Sequence, residues 1–251
     1  MISTAALRRA HRYLGVVIGI QFLGWTVGGL YFSWMSLDTV HADPQKAPPP
    51  ALRISPGATL ISPARVIENM ASLAGFQEVR SVELLPLLDQ PIYRVTFLDQ
   101  RGEIQFKLAD ASTGLLRPEI SEEEAKRIAR AAYAGTNGVK NIARIESTSG
   151  HHEYRRQPLP AWQVGFDDAT GTRLYVHAGS GAVRAFRNTP WRIFDFLWML
   201  HTMDYSGRDN FNNLLLRAFS VFGLATIGSG FALFFATAKW RGRSLRGRGE
   251  G

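Results

Sequence analysis

Two stretches of the chain are apolar throughout, and the segment between them alternates. Residues 13–37 run for 25 positions without a formal charge and are rich in Leu, Ile, Val, Phe and Trp. Residues 218–238 form a second such run of 21 positions, bounded by Arg217 and Lys239. Each reaches the ~20 residues with which a helix rising about 1.5 Å per residue crosses a ~30 Å hydrocarbon core. The pattern therefore predicts transmembrane helices over 13–37 and 211–238. The first run exceeds the ~7–15-residue core of a cleaved signal peptide. It also ends in Tyr31, Phe32, Trp34 and Met35 rather than in small residues, so it reads as an uncleaved anchor with an interfacial aromatic belt.

Past the first run, Pro48-Pro49-Pro50 marks a semi-rigid linker over 38–56. The pattern then repeats. Residues 62–73 predict a helix with Ser62 as N-cap, Pro63 in the first turn and Gly75 as stop. Residues 121–133 predict another, with Ser121 and Glu124 forming a capping box and Gly135 as stop. Tyr93, Val95 and Phe97 alternate as Trp162, Val164 and Phe166 do, at an offset of 69, which is the period of half-buried strands. Further strands are predicted over 103–108 and 172–177. Ser112-Thr113-Gly114 and Gly179-Ser180-Gly181 mark tight turns into short final strands over 115–117 and 182–187. The helices are offset by only 59, so an insertion over 147–158 precedes the second central strand. Two modules, 57–118 and 119–188, each a helix on an antiparallel sheet, predict an α+β domain. Residues 189–210 predict an amphipathic juxtamembrane helix on the outer membrane surface, with Phe194, Leu197, Trp198 and His201 on one stripe.

Charge changes this picture in one respect. The chain carries 29 Lys and Arg against 21 Asp and Glu, a formal +8. Arg8, Arg9 and Arg12 place +3 before the first run, and Lys239, Arg241, Arg243 and their neighbours place +4 after the second. The stretch 13–238 is left at +1, so the charge marks the two flanks instead of a nucleic-acid surface. The positive-inside rule assigns residues 1–12 and the basic tail 239–251 to the cytoplasm, where those arginines and lysines anchor the chain at anionic headgroups. The domain between falls in the periplasm of a bacterial inner membrane. His11, beside Arg12, reads as another headgroup contact. Gly15, Gly19, Gly24 and Gly28, with Gly223, Gly228 and Gly230, offer small-residue faces for the other span, a second copy or a partner membrane protein.

The absence of cysteine excludes disulfides, thiolate metal sites and a Cys nucleophile. No phosphate-binding loop, nucleophile elbow or H-E-x-x-H zinc motif is present. His151-His152-Glu153, adjacent on a polar loop, is a poor arrangement for converging on one ion. The predicted topology places His41 and His201 at one membrane face with Asp38, Asp43, Asp195 and Asp204. Two readings of this cluster stand side by side. It is a haem-binding site with the histidines as ligands and the carboxylates behind them, or a set of ion pairs and hydrogen bonds, with Arg192 and Arg208, that fixes the domain on the membrane.

The helix opened by Ser-Pro, the alternating strands and a turn ending Ser/Thr-Gly resemble the PepSY module. Its usual Asp before the turn is matched by Asp110 ahead of Gly114, while His177 stands at that place in the second copy. His11-Arg12-Tyr13-Leu14-Gly15 and Leu200-His201 resemble blocks of PepSY-associated transmembrane proteins. The resemblance implies a non-enzymatic, membrane-anchored protein whose domain binds or regulates a periplasmic protein or peptide. The alternative it implies is a haem-binding subunit, with haem b, of a transmembrane electron-transfer system that reduces ferric siderophores.

Overall fold

The computed structural model describes residues 4–73 and 75–246. The chain divides into two compact units: a helical one, up to Ser36 and from Ile193 onward, and an α+β one, Leu37–Arg192.

The helical unit is built on α1, Thr4–Trp34, and α6, Leu214–Arg246. Within them His11–Trp34 and Leu214–Ala236, 24 and 23 residues, are long and apolar enough to cross a membrane. Only 11% and 6% of their most apolar windows is buried, unlike the core helix of a soluble domain. The two helices run antiparallel. A Cβ built on Gly223 would lie 3.9 Å from Phe22, and one on Gly230 would lie 3.4 Å from His11. His11 Nδ1 sits 2.7 Å from the Ser229 hydroxyl, so its partner is the other helix and not the headgroup expected from the sequence. At Gly15, Gly19, Gly24 and Gly29 a built Cβ meets nothing within 4 Å, so there is room for a side chain at each.

The α+β unit opens with α2, Leu37–Val40, a 3-10 turn at Asp43–Gln45 and the proline linker. In the first module α3, Pro63–Met70, starts where the Ser62 hydroxyl accepts from Ala64 N–H at 3.3 Å. Strands β1, Phe76–Leu87, β2, Gln90–Asp99, and β3, Ile104–Asp110, form an antiparallel sheet in that order. Tyr93, Val95 and Phe97 face Val66 and Met70 of α3, while Ile92 and Leu108 point to the opposite face. The short final strand expected over 115–117 is reduced to one bridge, Ala109 to Leu116, flanked by Asp110 N–H donating to Leu115 O at 2.9 Å and Arg117 N–H to Leu108 O at 2.7 Å.

In the second module α4, Glu122–Ala132, begins with the expected capping box. Ser121 Oγ accepts from Glu124 N–H and the Glu124 carboxylate accepts from Ser121 N–H. The sheet runs β4, Val139–Ile145, β5, Ala161–Phe166, β6, Arg173–His177, and β7, Val183–Arg187, all antiparallel. Val164, Phe166, Leu174 and Val176 bury against Ala125, Ile128 and Ala129 of α4. Ala161, Tyr175 and Ala185 face the other way, where the insertion brings Tyr154 over them, stacked on Tyr175 at 4.6 Å. Leu87, Ile92 and Leu108 of the first module enter the same core as α4, so the modules close one another. Asn188 then caps the next helix, α5, Thr189–Thr202, by accepting from Trp191 N–H at 2.8 Å.

The two closing turns show how one shape is reached by different side chains. In the first, Asp110 accepts from the N–H groups of Ser112 and Thr113, both at 2.9 Å, and Gly114 takes φ 74°. In the second, His177 Nδ1 lies 2.8 Å from the Ser180 hydroxyl and Gly181 takes φ 65°. The fifth residue of each turn, the glycine, donates its N–H to the first residue's carbonyl, at 2.8 and 2.9 Å. Only glycine adopts this left-handed backbone without strain.

Burial, helped by the positive charge of Arg184, pushes the His177 imidazole down to about 4, against the opposing effects of Leu159 and Glu119. The folded state thus prefers the neutral ring. Above the ordinary value of 6.5 this costs nothing, and as pH falls towards about 4 the unfolded chain takes up the proton first, removing up to about 3 kcal/mol of stability. Denaturant titrations of the full chain across that window are expected to show this slope and to lose it in His177→Asn.

Candidate functional site

A cleft of about 1130 Å³ opens in the α+β unit. Four pieces of chain far apart in sequence build it. The linker supplies one wall: Ala47 N–H donates to Ala132 O at 2.8 Å and Ala134 N–H to Gln45 O at 2.9 Å, laying Pro48-Pro49-Pro50 beside the end of α4. The tip of the β1–β2 hairpin supplies a second, with Leu88 at φ 56°. Such a backbone is unfavourable for a residue with a Cβ, and here it turns Leu88 onto the shared core. The exposed face of α4 and strand β7 complete the enclosure.

The floor is apolar, with Leu87, Ile128, Val139, Val183 and Phe186. The rim is basic: Lys46, Arg94, Lys126, Arg127 and Arg130 stand against Asp89 and Glu123, a net +3. Arg94 is committed to Glu83 at 2.6 Å, Lys46 to Asp43 at 2.6 Å and Arg130 to the Gly135 carbonyl at 2.6 Å. Lys126 and Arg127 have no ion pair among the described residues and keep their charge for whatever enters. The lining contains no His, Ser, Thr or Tyr, and its ionisable groups are lysines, arginines, Asp89 and Glu123, so the arrangement can hold a ligand by apolar contact and charge.

The histidine–aspartate cluster expected from the sequence is distributed over both units. In the α+β unit Asp38 and His41 are exposed, and Asp43 pairs with Lys46. In the helical unit the His201 ring is exposed, parallel to Trp198 at 6.0 Å and 5.9 Å from Trp25. Asp195 is buried in an ion pair with Arg208. Asp204 is buried too, accepting from Ser206 Oγ at 2.9 Å and from the N–H groups of Gly207, Asp209 and Asn210 at 3.0, 3.1 and 2.9 Å. Both carboxylates are thus used up in folding the loop after α5. Among the described residues no three His, Asp or Glu converge as a metal site. The other histidine of the helical unit, His11, has its Nδ1 2.7 Å from the Ser229 hydroxyl. Of the residues expected from the sequence to anchor the chain, Arg8, Arg9 and Arg12 are exposed on α1, and the side chains of Lys239, Arg241 and Arg243 lie outside the described residues.

Sequence reasoning passed over Glu153, treated there only as part of a poor metal motif. It receives Arg192 Nε at 2.6 Å, Arg173 Nη1 at 3.2 Å and the Tyr175 hydroxyl at 2.7 Å, and its backbone carbonyl receives Arg187 Nε at 2.8 Å. Burial alone would raise its carboxyl, but the bonds from Arg192 and Tyr175 and the charges of Arg192 and Arg173 hold it below the ordinary 4.5. Its side chain is only 11% exposed. Glu153→Gln should cost about 2 kcal/mol, less than the ~3–5 of a fully buried pair because Arg192 and Arg173 keep 28% and 43% of their surface in water. The stability Glu153 adds is present above 4.5 and is lost as pH falls through its folded value, so denaturant titration of the variant should also show a flatter acid limb.

The chain is thus an α+β domain with an open cleft, lying in sequence between two exposed helices long and apolar enough to cross a membrane. Residues 119–187 match the family described as peptidase propeptide and YPEB domain, PepSY. The chain therefore carries a PepSY domain, which takes in the second module from Glu119 to the end of β7. The sequence had placed the usual turn aspartate in the first module, at Asp110, yet the matched copy is the one with His177, where Ser180 supplies the turn's hydrogen bond. No curated protein and no solved structure matches the chain.

Proposed function

We propose that this is an inner-membrane protein with two spans, its PepSY domain on the periplasmic side, and that the domain is a regulatory binding module. Its ligand is an extended segment of a periplasmic protein or peptide carrying both apolar and acidic residues. The observation that supports this reading is the cleft itself, with its apolar floor, its net +3 rim and the uncommitted Lys126 and Arg127. A volume of about 1130 Å³ exceeds the ~300–1,000 Å³ of small-molecule sites and suits a short run of side chains. The orientation follows from Arg8, Arg9 and Arg12 and from the basic tail beginning at Lys239.

The test uses the full chain in mild detergent and two fluorescent peptides with the same apolar residues, one alternating them with Glu and the other with Lys. The acidic peptide is expected to bind, with an affinity that falls as salt is added. Lys126→Glu combined with Arg127→Glu should weaken it about tenfold, the equivalent of ~0.7 kcal/mol per rim charge. Equal affinity for the two peptides, or binding of neither, would sink the reading.

A further inference from the structure

We propose that the part of α5 from Ile193 to Thr202 is a re-entrant membrane element that enters the bilayer beside α1 facing acyl chains, and that the loop after it returns the chain to the polar side. This rests on α1 being a span, as read above.

The packing order carries the argument. Phe194 meets Phe32 at 4.7 Å between ring centroids, and a Cβ built on Gly28 would lie 3.8 Å from Leu197 Cβ. The His201 ring lies 5.9 Å from Trp25, and the Leu200 carbonyl accepts from Gln21 Nε2 at 2.8 Å. As α5 advances from 194 to 201, its partners on α1 recede from 32 to 21. The helix therefore follows α1 inward, where the sequence pattern alone suggested a helix lying flat on the surface. Trp25 and Gln21 stand nine and thirteen residues inside Trp34, about 14 and 20 Å at 1.5 Å per residue, near the middle of a ~30 Å core.

A helix that ends there has a polar problem that one ending in water lacks. Its last carbonyls have no partner within the helix, and the hydrocarbon offers none. Here they are served by side chains. Leu200 O takes Gln21 Nε2, His201 O takes Trp25 Nε1 at 3.2 Å, and Thr202 O takes Asn213 Nδ2 at 2.8 Å. Asp195, buried on α5, is paired with Arg208, and Asp204 is saturated by donors, while Ser206, Asp209, Asn210 and Asn212 of the loop stay exposed, as suits its return to the polar side. Between Ile193 and Leu200 the exposed side chains are Ile193 and Phe196, at 43% and 51%. An ion pair and a capped helix end turned inward, with Ile193 and Phe196 turned outward, suit lipid as the medium around α5.

The absence of native cysteine allows single-cysteine reporters in the full chain reconstituted in phosphatidylglycerol-containing vesicles. F196C is expected to react with a membrane-impermeant maleimide about tenfold or more slowly than S149C in the insertion, and as slowly as I227C in α6. A nitroxide at 196 should collide more with oxygen than with a water-soluble nickel chelate, whereas a site shielded by protein would exclude both. If I227C is protected while F196C reacts like S149C, or if its nitroxide favours nickel, the re-entrant element is overturned and the anchor stands. If I227C itself reacts like S149C, the anchoring reading fails first.

Discussion

Neither sheet of the α+β unit can close a core alone, and the contact by which each completes the other is the constraint on which the rest of the unit depends. A module of 60–70 residues buries too small a share of its surface to be comfortably stable. The first sheet has α3 on one face, and its other face presents Ile92 and Leu108, which with Leu87 enter the core beneath α4. Gly181 records how close the approach is. A Cβ built there would stand 2.7 Å from Leu87, so the closing turn of the second module needs glycine for its neighbour as well as for its own φ. The cleft follows from the same contact. When the hairpin tip is driven into the second module by Leu87 and Leu88, a trough remains between that tip, the outer face of α4 and β7, and the linker closes its remaining side.

How much of this is legible in the sequence depends on the distance over which the responsible interaction acts. The capping box of Ser121 and Glu124 is a three-residue device and is present as read. The alternation of Tyr93, Val95 and Phe97 and of Trp162, Val164 and Phe166 is equally local and correctly marks the helix-facing side of each sheet. The turn at His177 departs from the family pattern in sequence but keeps its geometry, because a hydroxyl at Ser180 does for an imidazole what backbone N–H groups do for Asp110. Glu153 has no local signature at all. Its partners lie 20, 22 and 39 residues away, and nothing in His151-His152-Glu153 announces them. The cleft is hidden for the same reason, being assembled from segments near 46–50, 85–89, 123–132 and 181–186.

The polar residues near the apolar helices teach a related lesson. Read one at a time, His201, Asp195 and Asp204 resemble ligands, since charged groups near a membrane demand a reason. The structure supplies an architectural reason for the two carboxylates: Asp195 neutralises Arg208, and Asp204 gathers the donors of a tight loop. The stripe of Phe194, Leu197, Trp198 and His201 was visible as a helical face. Its destination on α1 was not, because an apolar face does not state whether lipid or protein will cover it.

The linker ties these themes together. The residues that join α1 to the domain also build it: Lys46 and Tyr133 form a bridge, Ala47 is hydrogen-bonded to the end of α4, and Lys46 lies over the ring of Phe186. Proline at three successive positions denies this segment the N–H groups that would let it join a sheet, so it remains a wall and does not become a strand. Under the binding reading, a ligand in the cleft touches the very residues that tether the domain, and its affinity is linked to how firmly the linker is seated. By reciprocity, tension or displacement at the linker alters the ligand's hold by the same free energy. That coupling would let a binding module transmit occupancy along the chain to α1, through contacts that a more flexible tether would not make.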